Sequence, residues 1–225
     1  MNMHNNPSEP SRRGLWIAFF GPDGAGKSAV IEELSGKLET SFVGITRFHF
    51  RPRFRRQGVD WPPVTSPHAQ PPRSILASLG KLVYWLLDCW FGYLVTIRPG
   101  MARSELVIFD RYLPDILVDP RRYRLPASCL RFAWLLVPLA PGPGLCILLD
   151  LPAEVVQQRK QEVSPVESQR QRAAYLSLFK GMPNTLIVDA GCPVDEIAHQ
   201  VITAIYTFFI NSSSQSPEAS LIANL

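Results

Sequence analysis

Eight consecutive residues carry the clearest chemistry in this chain: Gly21-Pro22-Asp23-Gly24-Ala25-Gly26-Lys27-Ser28. They fit the pattern GxxxxGK[ST] at every defined position. The glycines let the backbone curl until its N–H groups point inward at phosphate oxygens. Lys27 supplies a cation for β- and γ-phosphates, and the Ser28 hydroxyl suits Mg²⁺. A helix starting near Lys27 adds the partial positive charge of its N-terminus. The segment therefore predicts binding of ATP with Mg²⁺. The plain alternative is a glycine-rich turn. Against it stand the apolar strand before the segment and the amphipathic helix after it, the context a phosphate loop requires.

Positioning these groups takes a scaffold, and the hydrophobic pattern describes one. LWIAFF (15–20) is a strand that ends at Gly21, and residues 28–38 place Val30, Ile31, Leu34 and Leu38 at helical spacing. ITRFHF (45–50), ELVIFD (105–110), LCILLDL (145–151) and NTLIVDA (184–190) read as four more strands. Helices are expected over 74–98, stopping near Pro99-Gly100, and over 128–139, 152–161 and 193–209. Residues 51–73 form a Pro- and Arg-rich connection without periodicity. Nearly all-apolar strands separated by helices predict an α/β fold of three layers, with a five-stranded parallel sheet covered on both faces. In such a sheet the ligand sits at the carboxyl ends of the strands, where Gly21, Asp110 and Asp150 fall. The expected domain is 14–210, with loose tails at 1–13 and 211–225.

Composition sets the outer limits. The 225 residues are 46% hydrophobic and 19% charged, which fits a folded domain. A net charge of +4 suits an anionic small substrate, and no helix concentrates a basic face for nucleic acid. The four cysteines, Cys89, Cys129, Cys146 and Cys192, form neither a CxxC pair nor a zinc pattern, so a reduced, cytoplasmic protein is expected. The N-terminus lacks the apolar region of a signal peptide. The apolar run 82–97 is about one turn short of a membrane span and contains Asp88. It reads as a buried helix, and no transmembrane span is expected.

Three ordered segments resemble the thymidylate kinase family. They are the loop at 20–28, residues 97–112 (IRPGMARSELVIFDRY), and residues 148–176, which look like that family's fourth strand, a helix and an arginine-rich lid. Residues 188–201 are similar to its last strand and helix, so the resemblance covers most of 14–210. It implies a P-loop kinase that transfers the ATP γ-phosphoryl to a nucleoside monophosphate such as dTMP. Asp110 would stand near Mg²⁺ or hold the phosphate loop, and Arg111 would reach phosphoryl oxygens. Position 25 is alanine, so the loop supplies no arginine of its own. A lid at about 159–172 would then supply it, with Arg159 first and Lys160, Arg170 and Arg172 beyond. Asp110-Arg111 as a structural ion pair, and the lid as a solvated helix, are the alternatives. The resemblance to dimeric kinases admits a homodimer through the helix 82–97.

On the acceptor side the chain departs from that family. Arg51-Pro52 is the match to its acceptor-phosphate arginine, and Arg53, Arg55 and Arg56 follow. Cys89 stands where the family carries a nucleotide-holding arginine. Asp115 and Asp119 stand where it has neutral groups, and Arg121, Arg122 and Arg124 come after Pro120. Arg51, Tyr112 and Asp115 are thus the candidate substrate-binding residues. A carboxylate beside a phosphate dianion is repulsive, whereas beside a hydroxyl it can act as general base. Asp115 therefore raises a second reading, a sugar or glycan hydroxyl as acceptor, unless it only starts a turn after Pro114. A third reading is an ATP-dependent switch without a small-molecule acceptor. Phe54, Trp61 and His49 could stack on a base or sugar, or anchor a loop.

Overall fold

Side chains alternate across a strand, and in β1 (Leu15–Phe20) both sets are buried and apolar. Leu15, Ile17 and Phe19 enter one core, while Trp16, Ala18 and Phe20 enter another. Such a strand belongs between two layers of helices. The computed structural model, which describes residues 14–51, 70–159, 161 and 163–214, places β1 at the centre of a five-stranded sheet. Its partners are β2 (Gly44–His49), β3 (Glu105–Asp110), β4 (Leu145–Asp150) and β5 (Thr185–Asp189). The order is β2-β3-β1-β4-β5, and every pairing is parallel. From β1 the chain pairs with β3 on one side and β4 on the other. The crevice at such a switch point is where ligands bind in open α/β sheets.

One face is covered by α1 (Lys27–Leu38), through Val30, Ile31, Leu34 and Leu38, and by the last helix, Val194–Ser214. That last helix runs past residue 210, where the domain was expected to end. The other face takes α2 (Ile75–Gly92) through Leu82, Trp85 and Cys89. The helix does not stop near Pro99. Five residues, Tyr93–Ile97, continue in π register, with the Arg98 N–H reaching back to the Tyr93 carbonyl. The chain resumes as α3 (Arg98–Ala102), and Pro99 falls in its first turn, where a missing N–H does least harm.

The expectation of a wholly buried helix is corrected here. Val83, Tyr84, Leu87, Trp90, Phe91, Leu94 and Val95 are exposed along one side of this rod. By length and composition alone, Ile75–Ala102 is the one helix among the described residues that could cross a membrane.

After β3 the chain turns through α4 (Asp115–Val118) into α5 (Leu130–Leu136), which is flanked by 3₁₀ turns at Ala127–Cys129 and Val137–Leu139. Beyond β4 come α6 (Ala153–Arg159) and α7 (Pro165–Lys180), and Val194–Ser214 is α8. The expected lid, 159–172, thus spans the α6–α7 junction. Ser164 caps α7 by accepting from the Glu167 N–H at 3.3 Å, and Pro165 occupies the first turn.

Candidate active site

The loop after β1 has the backbone its glycines predict. Gly21, Gly24 and Gly26 have φ of 138°, 87° and 83°. A side chain at Gly21 would also come within 2.6 Å of the Leu149 carbonyl. The Lys27 ammonium folds back over the loop and donates to the carbonyls of Gly21 and Pro22, at 2.9 and 2.8 Å. α1 begins at Lys27, so its N-terminus faces the same space.

Ser28, His49 and Asp110 line one cavity beside this loop. Burial raises the Asp110 pKa, but the His49 contact and the charges of Lys27 and Arg111 outweigh it and hold the carboxyl below its usual range. Asp110 Oδ1 is buried without a hydrogen-bond partner, while Oδ2 lies 3.6 Å from His49 Nδ1. An ionised oxygen left over in this way is what a cation would satisfy. Among the described residues no three His, Cys, Asp or Glu side chains converge on a metal position. Mg²⁺ needs no such cage when phosphates complete its shell. Ser28 and Asp110 therefore fit Mg²⁺ held together with ATP.

Arg111 is strained and fully engaged. Its φ is 68°, and its N–H donates to the Phe19 carbonyl at 2.9 Å, locking it beside β1. The buried guanidinium donates to Asp23 Oδ1 at 2.7 Å, to both Asp115 oxygens at 2.9 and 3.0 Å, and to the Tyr175 hydroxyl at 3.0 Å. Burial opposes its charge, but Asp115 and the neighbouring groups prevail and raise its pKa. Asp23 also pairs with Arg122, which in turn contacts Asp119 at 3.4 Å. The phosphate loop is thus tied to the segment after β3 through one carboxylate and two arginines.

Three expectations for the acceptor side meet this geometry differently. Asp115 is wholly buried and accepts from Arg111, from the Tyr123 hydroxyl at 2.6 Å and from the Tyr175 hydroxyl. It faces no acceptor, because every side of the carboxylate is taken by the protein. Tyr112 is likewise no substrate contact. Its ring packs in the core on Trp16 and Phe109, and its hydroxyl donates to the Pro141 carbonyl at 2.7 Å. Arg51 follows the carboxyl end of the edge strand β2, paired with Asp88 at 3.0 Å and lying over Tyr84. Cys89, beside Asp88, is buried, and that burial pushes its thiol up to about 11. It is a packing residue.

Among the arginines of the expected lid, only Arg159 touches the phosphate loop in the described residues. Its Nη1 lies 3.5 Å from the Gly24 carbonyl and 3.4 Å from that of Ala190. Arg172 is held by Asp150, with both contacts at 2.8 Å. Arg170 pairs with Glu167 and donates to the Val118 carbonyl at 2.8 Å. Lys160, Arg53, Phe54, Arg55, Arg56 and Trp61 lie outside the described residues.

Reading the sequence missed three members of the network. Tyr123 and Tyr175 carry no motif, and Arg122 appears only as one of several basic residues after Pro120. What could have pointed to them is the need of a buried Arg111 for partners.

No family model matches the chain. Individual relatives do. A thymidylate kinase of Leifsonia xyli subsp. xyli (strain CTCB07) is 30% identical over 202 residues, covering 85% of this chain and 94% of the relative. One of Caulobacter vibrioides (strain ATCC 19089 / CIP 103742 / CB 15) is 29% identical over 211 residues, covering 82% and 92%. One of Xanthomonas campestris pv. campestris (strain B100) is 28% identical over 202 residues, covering 85% and 84%. With 30% identity over 85% of its own length and 94% of the Leifsonia relative's, the chain belongs to the thymidylate kinase family of P-loop kinases.

Proposed function

We propose that this kinase transfers the γ-phosphoryl of ATP to the phosphate of a nucleoside monophosphate, with dTMP as the first candidate. The observation that carries the reading is the Asp23–Arg111 pair, which sets a buried, permanently charged guanidinium against the phosphate loop. Lys27 and the loop N–H groups would hold the β- and γ-phosphates, and Ser28 and Asp110 would hold Mg²⁺. Bound there, the ion neutralises charge on the phosphate oxygens. Arg111 and Arg159 are the cations on hand for the transferred group, where negative charge spreads over three oxygens. Arg51 serves the acceptor side. The alcohol-acceptor reading needed Asp115 as a base, and a carboxylate bonded to an arginine and two tyrosines does not support it.

An assay coupled to ADP release tests the proposal. Stimulation by dTMP or another mononucleotide is expected. Slow ADP release unaffected by every mononucleotide would overturn the nucleotide reading.

Two finer readings belong with it. The exposed apolar side of α2 is continuous with Trp134, Leu135 and Leu139 of the α5 region, and the Trp90 indole donates to the Leu139 carbonyl at 3.0 Å. A second copy of the chain covering this side accounts for so large an apolar area better than exposure to water does. A cytoplasmic location follows from a kinase that draws on ATP and small nucleotides.

A further inference from the structure

His49 and Asp110 meet at the carboxyl ends of two neighbouring strands. They are partners in the β2–β3 register, and His49 Nδ1 lies 3.6 Å from Asp110 Oδ2. That separation is too long for an N–H···O hydrogen bond, which extends to about 3.2 Å. It is close to the spacing of two ligands on one ion. Bonds of about 2.1 Å at right or tetrahedral angles put the ligand atoms roughly 3.0–3.4 Å apart.

The backbone holds the imidazole there. The Phe50 N–H donates to the Asp110 carbonyl at 3.0 Å, and the Arg51 N–H donates to the His49 carbonyl at 2.8 Å. Phe50, between these bonds, has a φ of 65°, which a bulky residue adopts only at a cost. The strained residue comes directly after His49, the last residue of β2, and so fixes where that strand ends.

The surroundings leave the carboxylate open to a cation. Asp110 Oδ1 is buried without a hydrogen-bond partner. Arg47, two positions before His49 on β2, is drawn to α1 instead, where it donates to the Ile31 carbonyl at 3.3 Å. Ser28, Arg47, His49 and Asp110 line one cavity of about 280 Å³, which has room for an ion and six waters at about 30 Å³ each. Oxygen ligands alone suit Mg²⁺, whereas an imidazole nitrogen favours the later divalent ions of the first transition row.

We propose that His49 is a nitrogen ligand beside Asp110, so that the site takes a transition ion such as Co²⁺ or Zn²⁺ through an imidazole as well as Mg²⁺ through oxygens. This rests on the reading of Asp110 as the metal-holding carboxylate and not on the identity of the acceptor. Proton NMR of the full chain with ADP and Co²⁺ tests it without turnover. Wild type is expected to show the strongly shifted ring protons of a Co²⁺-bound imidazole, and His49→Ala to lose them. By calorimetry on the ADP complex, His49→Ala weakens Co²⁺ about tenfold or more and Mg²⁺ less than about threefold.

The His49 side chain is 63% exposed, so the variant folds, and circular dichroism verifies this. Wild type without shifted ring protons, or a variant that keeps them, overturns the ligand. An equal loss of affinity for Co²⁺ and Mg²⁺ overturns it too, since that is the result of His49 merely orienting Asp110. Asp110→Asn separates this proposal from the reading beneath it. If Asp110→Asn weakens both ions while wild type shows no shifted ring protons, the Ser28–Asp110 position stands and His49 falls as a ligand. If Asp110→Asn leaves both ions at wild-type affinity, the carboxylate reading falls and the proposal falls with it.

Discussion

Asp115 presents both carboxylate oxygens to the Arg111 guanidinium, at 2.9 and 3.0 Å, and neither residue has appreciable contact with solvent. An arginine needed at phosphates must be held somewhere between turnovers. Here it is held by a neighbour four positions on, with Tyr123 and Tyr175 satisfying the remaining oxygen lone pairs. Asp23 completes the cage from the loop side at 2.7 Å. The relationship decides between two roles for Asp115, base or anchor, and each role predicts a different mutant.

Asp115→Asn keeps the shape and removes the charge. Leaving a buried guanidinium without its counter-ion costs about 3–5 kcal/mol. We expect a loss near the lower end of that range, because Asp23 remains, read as a fall in the urea midpoint with an unchanged slope. Turnover falls as well, since Arg111 is no longer aimed. A variant as stable as wild type but catalytically dead would instead mark Asp115 as a base.

Lys27→Ala removes the ammonium that folds over Gly21 and Pro22. Its contacts in the structure are to two buried carbonyls of the loop. Leaving a buried acceptor unpaired costs about 1–3 kcal/mol, so the thermal midpoint should fall by roughly 2–4 °C for each kcal/mol lost. Affinity for ATP with Mg²⁺, measured by calorimetry, should fall by about tenfold or more, as for loss of a charge-assisted contact. Wild-type affinity in this variant would remove the loop from ATP binding.

Not all of this was readable in the residues, and the reasons are physical. The strands were, because a parallel strand buried on both faces is apolar throughout, as LWIAFF shows. The loop was, because its function fixes backbone and side chains within eight adjacent residues. α7 was hidden because its outward side is rich in Arg and Gln and it buries only Ser168, Gln171, Tyr175 and Phe179. Its cap, Ser164-Pro165 with Glu167, was the available signal. The Arg111 cage was not readable, since Tyr175 lies 64 positions away and no local pattern couples the two. Tyr112 misled for a related reason. It follows a motif arginine whose left-handed backbone turns the next side chain into the core.

The α7 cap gives a pH prediction. The Arg170 hydrogen bond holds the Glu167 pKa below its ordinary value, against a smaller opposing effect of burial. A carboxyl lowered on folding stabilises the fold above its unfolded pKa of about 4.3, and that contribution is lost as pH falls through the lower folded value. The pair is partly exposed, so its worth is about 0.5 kcal/mol. Wild type should exceed Glu167→Gln in urea midpoint at pH 7, and the gap should close below about pH 4. A gap that persists at pH 3 would mean that Glu167 acts through packing and not through charge.

The apolar side of α2 sets the last test. Leu87 is 63% exposed and Trp90 43%, in register with Phe91 and Leu94, so a continuous apolar area meets water. Water contact at such residues is unfavourable, and burial against a twin surface recovers about 25 cal/mol for each Å² covered. Leu87→Glu places a charge in the middle of that side without touching the core residues Leu82, Trp85 and Cys89. Wild type should sediment as a dimer at micromolar concentration and the variant as a monomer, with unfolding midpoints compared at equal monomer concentration. Monomeric wild type, or a variant that sediments as a dimer like wild type, would overturn the reading of this side as the contact between two copies.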